Sequence, residues 1–321
     1  MNNDIDFTIG FSHGVEWGWP IAVYLLLAGI SGGALIVALI IRYYKKQKED
    51  TPLLKAASLV SFVTIAIGMV FLVGDLEKPL YFWKILINYN FASVMSIGVL
   101  AISVYIPLTI MMCLYVFEKE ILTYIPKDKK KIADYFILMM GILKKLRPLV
   151  EVLSIVFAII ICAYTGFLIS VLVRFPILNT AILPALFVVS GLSAGTASAS
   201  MVAALLFKED THSHDLKTLH TIEWPIMATE MMFIAMLFIS LLVGNEFQQT
   251  TIAAFGNGAF SSLFWVGVIG IGFGVPLLLN FALGKKVASS HVVFYCSCAA
   301  SIIGVLCLRI FIIYAGQTFS V

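Results

Sequence analysis

A chain of 321 residues that is 61% hydrophobic and only 12% charged lies far from the ~25% charge of soluble domains. With a mean hydropathy of +1.01, it is not a water-soluble globule, and a net charge of +3 gives no basis for a nucleic-acid partner. A large soluble all-α core would also need polar faces at helical period, and the apolar stretches lack them.

The first sixteen residues carry Asp4, Asp6 and Glu16 and no Lys or Arg. A secretory signal begins with a basic segment, so the first apolar stretch is read as a retained span. Stretches of about the 20 apolar residues that cross a bilayer follow at 20–43, 56–76, 91–117, 149–173, 179–207, 222–244, 258–283 and 291–314. Lipid leaves no backbone group unpaired, and barrel strands need only ~10 alternating residues, so each stretch is read as a helix.

Orientation follows from the basic residues. Arg42, Lys45, Lys46, Lys48 and Lys55 follow the first span. Lys119, Lys127, Lys129, Lys130, Lys131, Lys144, Lys145 and Arg147 follow the third, Lys208 and Lys217 the fifth, and Lys285 and Lys286 the seventh. Seventeen of the 21 Lys and Arg therefore share one side. The prediction is an all-α integral membrane protein of eight transmembrane helices, both termini outside, forming one polytopic domain over 1–321. The inner loop 118–148 contains IADYFILMMGILKKL, read as an amphipathic interfacial helix.

Two motif pairs suggest an internal repeat. Gly29-Ile-Ser-Gly-Gly33 resembles Gly191-Leu-Ser-Ala-Gly195, and Val73-Gly74-Asp75 resembles Val243-Gly244-Asn245. Both pairs enter the membrane with the same polarity, as in a parallel duplication of four helices with halves 19–173 and 179–314. Two four-helix bundles would result. The small residues also let span five approach its neighbours closely.

Ionisable residues inside spans are the functional candidates. Asp75 and Glu77 end span two, either as a solvated helix end or as a site. Glu230 lies two turns inside span six, with Glu223 seven residues earlier on the same helix face. A carboxylate there must be protonated or paired; the two either begin a proton path from the inside or make structural hydrogen bonds. Arg309, late in the last span, needs a carboxylate, a carbonyl or an anionic ligand, unless it snorkels to the interface. Tyr24 and Tyr164 fall in the outer half, where tyrosines belong either to the interfacial belt or to a site that hydrogen-bonds a quinone carbonyl.

No histidine lies mid-membrane: His13, His212, His214, His220 and His291 all fall in loops or at span ends. Paired helix histidines for a b-type haem are therefore lacking. Cys113, Cys162, Cys296, Cys298 and Cys307 contain no CxxC pair and are read as packing residues, with no metal, haem or iron–sulfur cluster in this chain.

Several motifs together resemble the NrfD/polysulfide reductase membrane-subunit family. Trp19-Pro20 through Tyr24 to Gly33 is similar to its first helix. Asp75-Leu-Glu-Lys-Pro79-Leu-Tyr-Phe-Trp83 with Asn88 to Ser96 is similar to its second-to-third junction, and Tyr164-Thr-Gly166 with Phe175 to Pro184 to its fourth-to-fifth. Arg309 with Gly316-Gln317 is similar to its C-terminal motif. The resemblance implies a quinone-binding membrane anchor of a respiratory oxidoreductase in the bacterial cytoplasmic membrane. Menaquinol would be oxidised near the outer face, electrons passing to a four-cluster iron–sulfur subunit and then to a periplasmic, typically molybdopterin-containing, catalytic subunit. The family's quinone-binding positions map onto Tyr24 and Tyr164, and its catalytic positions onto Asp75, Glu223, Glu230 and Arg309. Some relatives carry histidine where this chain has Tyr24. A polysulfide or other sulfur-compound reductase is the leading expectation, with nitrite reduction the alternative inside the family. A proton-coupled secondary transporter using Glu230 and Arg309 is the alternative outside it.

Overall fold

A computed structural model describes residues 17–318 apart from 48, 77, 88–89, 92, 125–129, 212, 257 and 282–289. All the secondary structure in these residues is helical. α1 (Trp19–Tyr44) opens on Pro20, and α2 (Pro52–Gly74) on Pro52 with Thr51 as its cap, the Thr51 hydroxyl accepting from the Leu54 N–H at 3.3 Å. Pro in the first turn and Ser or Thr at the cap deal with N–H groups that have no partner inside the helix. α3 (Val94–Val116), α4 (Lys130–Ser170) and α5 (Ile182–Leu206) follow. α6 (His214–Val243) is capped by Ser213, whose hydroxyl accepts from Leu216 N–H at 3.2 Å.

The next helix, α7, is a π-helix over Leu263–Gly274 that continues as an α-helix over Val275–Phe281. α8 (His291–Gln317) ends the fold. Among the described residues seven helices, all but α7, are long and apolar enough to cross a membrane. The chain is thus a multi-pass membrane protein.

Two elements differ from the sequence expectation. Over 258–283 a full span was expected, whereas the apolar helix there, Leu263–Leu279, falls in a shorter class. Its glycines, Gly267, Gly270, Gly272 and Gly274, hold an α-helix poorly and tolerate the wider turns of a π-helix. Gly272 also abuts Gly304 of α8, where an added Cβ would come within 2.2 Å of the Gly272 Cα.

The second difference is the stretch 118–148. Instead of a separate interfacial helix there is a short helix, Glu118–Tyr124, and then α4, continuous for 41 residues. At 1.5 Å per residue α4 is about 60 Å long, roughly twice the hydrocarbon thickness. Pro148 removes one backbone bond without ending the helix. Ion pairs hold the chain on both sides of it: Arg147 Nε meets Glu151 at 2.9 Å, and Arg147 also binds Asp50.

These pairs belong to a charged layer at the end of the bundle where the basic residues gather. Arg42 meets Asp50 at 2.6 Å and Glu151 at 3.4 Å, and Tyr43 donates to Glu151 at 2.9 Å. Lys45 meets Asp215 at 2.7 Å, Lys55 meets Glu120 at 2.5 Å and Lys144 meets Glu118 at 2.8 Å. Burial alone would raise the Asp50 carboxyl, but hydrogen bonds and charge from Arg147 and Arg42 outweigh it and hold the group below its ordinary value. At the opposite end Trp17, just before α1, meets the last residue of α8. Gln317 donates to the Trp17 carbonyl at 2.8 Å and accepts from the Trp17 N–H at 3.0 Å.

α1 is the most enclosed helix, packed by α2, α4, α5 and α8. Its glycine motif meets the similar motif of α5 face to face. A Cβ on Gly33 would lie 2.0 Å from the Gly191 carbonyl oxygen, and one on Gly195 would lie 2.3 Å from the Ala34 nitrogen. Close approach through small residues is how membrane helices gain packing without a hydrophobic driving force. Gly33→Ala should therefore lower stability in detergent by about 1–3 kcal/mol, the usual range for overpacking. Gly141→Ala, with nothing within 4 Å of its added methyl, should leave it unchanged or slightly higher. Equal unfolding midpoints for the two variants would refute the seam.

Candidate functional site

The tyrosines singled out in the sequence come together near the end of the bundle that holds Trp17 and Gln317. Tyr24 is fully buried on α1, its ring edge 3.5 Å from where a Cβ on Gly68 of α2 would stand. Tyr164 of α4 lies so closely over Gly98 of α3 that a Cβ there would overlap the ring. The two phenols interact electrostatically. The Tyr24 hydroxyl is buried and has no hydrogen-bond partner. A buried unpaired hydroxyl costs about 1–3 kcal/mol, so this one is suited to a ligand oxygen.

Asp75 is buried directly after α2, its N–H donating to the Phe71 carbonyl while the next N–H, of Leu76, donates to Val73. It is seven residues beyond Gly68, on the same helix face and about 10 Å further toward the Trp17 end. The negative end of a helix dipole does not favour a carboxylate there, so capping does not explain Asp75. Glu77 lies outside the described residues.

Glu223, Glu230 and Arg309 form a second group. The buried face of α6 runs through Leu219, Glu223, Met227, Glu230 and Ile234, so both carboxylates face inward as the spacing predicts. Glu223 takes a 3.2 Å contact from His220 Nδ1. Glu230 accepts from Ser193 of α5 and interacts electrostatically with Arg309. Beside it is a cavity of about 10 Å³, near the volume one water needs. Ser193, Met227, Gly272, Ser301 and Gly304 line it, and the Ser301 hydroxyl is buried without a partner.

Arg309 does not snorkel. It is wholly buried and donates to Ser190 Oγ at 2.7 Å and the Phe187 carbonyl at 3.2 Å, with its guanidinium 3.5 Å from the Phe187 ring centroid. Its Nε and Nη1 have no partner. Nη2 comes 3.6 Å from where a Cβ on Gly29 would stand, and Arg309 also acts on Cys162 of α4. Arg309 thus stands at the glycine seam, acting on Glu230 of α6 and lying beside α1 and α4, which carry Tyr24 and Tyr164.

Reading the sequence alone missed the polar residues that complete these groups. Ser190 and Ser193 sit in a run that reads as small packing residues, and Tyr105 sits inside an apolar span. The usable signal was that a mid-span tyrosine or a buried Glu needs a partner. His291 Nδ1 contacts Thr211 Oγ1 at 3.0 Å, while His220 contacts Glu223. His13 and His212 lie outside the described residues. Among the described residues no three His, Cys, Asp or Glu side chains are grouped as metal ligands are.

Known proteins resemble this one along most of its length. The family described as polysulphide reductase, NrfD, matches residues 8–321. The C subunit of polysulfide reductase from Wolinella succinogenes is 40% identical over 309 residues, 95% of each protein. Protein NrfD of Escherichia coli is 35% identical over 94% of this chain and 95% of its own. A protein NrfD homolog of Haemophilus influenzae is 34% identical over 98% of both.

Proposed function

Since the chain belongs to the NrfD polysulphide reductase family, we propose that it is the quinone-binding membrane subunit of a respiratory oxidoreductase in a bacterial cytoplasmic membrane. The observation that carries this reading is the buried, unpartnered Tyr24 hydroxyl beside Tyr164. Menaquinol, when bound, supplies two electrons and two protons. Tyr24 and Tyr164 would hold its oxygens through their buried hydroxyls, and Asp75 would take a proton at a carboxylate oxygen. Arg309 holds positive charge between the tyrosine group and Glu230. Electrons leave to a docked four-cluster iron–sulfur subunit and from there reach a catalytic subunit, molybdopterin-containing in the sulfur-compound case. Identity of 40% to a polysulfide reductase subunit, against 35% to protein NrfD, favours a sulfur-compound acceptor over nitrite.

The hydrogen bonds between Trp17 and Gln317 favour an even number of crossings, hence α7 as an eighth span. The basic layer at the other end favours termini on the outside. Glu223 and Glu230, on one buried face with a water-sized cavity, favour a proton connection between the inner surface and Arg309. A transporter of the broken-helix kind would interrupt both halves at matching depth. The irregular helix α7 has no such counterpart in α3, which is α-helical from Val94 to Val116.

Tyr24→Phe tests the assignment. Losing one hydrogen bond to a ligand oxygen should weaken binding of a quinone analogue by about five- to tenfold. Unchanged affinity removes Tyr24 from the site.

A further inference from the structure

Tyr24 and Tyr164 are seated by different means. Gly98 is buried in the second turn of α3, and the Tyr164 ring lies on it with its hydroxyl end. A Cβ at Gly98 would overlap Cζ, Cε2 and Oη of the phenol. Against Tyr24, by contrast, a Cβ on Gly68 would stand 3.5 Å from the ring edge, an ordinary contact. The phenol of Tyr164 therefore demands glycine beneath it, and the phenol of Tyr24 does not.

Neither helix is free to back away. Ala158, Cys162 and Gly166 recur at four-residue spacing on the face of α4 that points away from Tyr164. That face rests on α1 and α5. A Cβ on Gly32 of α1 would meet Cys162 Sγ at 2.5 Å and the Ala158 carbonyl oxygen at 2.8 Å, and a Cβ on Gly166 would run into Pro184 in the first turn of α5. α3 is tied two turns beyond Gly98 by Tyr105, whose hydroxyl lies 3.1 Å from Ser31 Oγ and 2.9 Å from Ser61 Oγ. Close-packed interiors yield little to an added methyl. With both backbones held, a methyl at position 98 has to move the phenol.

Van der Waals contact sets the size of that movement. Carbon atoms pack at about 3.5 Å, so the end of the ring would shift by roughly 2 Å. A hydrogen bond of ~2.8 Å lengthened that far is no longer one. The atoms pressed on Gly98 are those at the hydroxyl end of Tyr164, the end that a ligand oxygen would meet.

We propose that Gly98 is a positioning residue of the quinone site: by leaving the α3 backbone bare, it fixes where the Tyr164 hydroxyl stands and hence its separation from the Tyr24 hydroxyl. A quinone presents two oxygens at a fixed separation, so the site reads the headgroup through the distance between its two phenols. Gly98 has no side chain to offer a ligand and acts through Tyr164. The role rests on the quinol reading of the tyrosine pair, whereas the seat itself is a property of the fold.

The test combines binding of a short-chain menaquinone analogue to the intact complex with fluorine NMR of the full-length chain carrying a fluorinated tyrosine at position 164. Gly98→Ala should move the fluorine resonance and weaken binding by about tenfold. Tyr164→Phe should weaken it by a similar factor and the double variant no further, since both changes act on one hydroxyl. Unchanged affinity in either single variant, or factors that multiply in the double variant, overturns the assignment. Should Gly98→Ala fail to fold, Gly98→Ala/Tyr164→Leu removes the ring that the new methyl meets. It should fold and bind as Tyr164→Leu alone does, and its failure to fold would make Gly98 a backbone-packing residue only. A resonance that shifts in Gly98→Ala while the wild-type complex binds no analogue refutes the quinol reading and keeps the seat. Analogue binding to wild type with an unmoved resonance in Gly98→Ala refutes the seat and keeps the reading.

Discussion

Asp75→Asn should reduce menaquinol oxidation by about 10²–10⁴-fold, the range for loss of a positioned proton acceptor, while the chain still inserts and assembles. Asn keeps the size of Asp and its capacity to accept hydrogen bonds, but it cannot take a proton. Asp75 follows the last residue of α2 and is buried. Asn can keep hydrogen-bonding contacts at that position, so the variant should still fold. Turnover and assembly should therefore separate, the first measured with a soluble quinol and an artificial acceptor, the second by native electrophoresis of the intact complex. Wild-type turnover in this variant would remove Asp75 from the chemistry. Loss of both together would make it a structural residue.

The largest effect on stability should come from Arg309→Met. The substitution keeps an unbranched side chain but deletes the donors to Ser190 Oγ and the Phe187 carbonyl and the stacking on Phe187. It also removes the positive charge that acts on Glu230 across the buried core. Leaving the buried acceptors of Arg309 unpaired costs about 1–3 kcal/mol. Adding Glu230→Gln removes the carboxyl on which that charge acted, so the double variant should recover part of the loss. Thermal unfolding in detergent over the full double-mutant cycle measures the coupling. Additive losses would show that Arg309 and Glu230 act independently across the cavity.

Long apolar stretches and one-sided Lys and Arg made a helical membrane protein legible, because lipid allows few ways to pair a backbone. Two features were hidden. The π-helix of α7 arises where four glycines meet the tight Gly272–Gly304 approach, and hydropathy does not sense hydrogen-bond register. The stretch 132–146, read as a separate interfacial helix, is part of α4, which runs on through Pro148 with ion pairs beside it. The glycine motifs of α1 and α5 were visible as similar strings; that they pack on each other follows from the tertiary arrangement alone.

The site was legible residue by residue and not as groups. Tyr24, Asp75, Tyr164, Glu223, Glu230 and Arg309 all stand out as polar residues in or beside apolar spans, and each is buried. Their division into a tyrosine group and a carboxylate group, with Arg309 between, depends on how α1 and α5 cross. Ser31 and Ser193 are matching residues of the two similar glycine motifs, and each sits at a buried polar node, with Ser61 and Tyr105 for the first and Glu230 for the second. Ser31 gave no sign of this because most helical serines bond their own backbone.

The central claim is that a quinone binds beside Tyr24 and Tyr164. Photolabelling the intact complex with an azidoquinone, followed by peptide mapping, addresses it most directly. Saturable labelling of α1 and α4 around residues 24 and 164, displaced by excess menaquinone analogue, is the predicted result. Saturable labelling confined to α6 and α8 around Glu230 and Arg309, or no displaceable labelling of this chain, would contradict it.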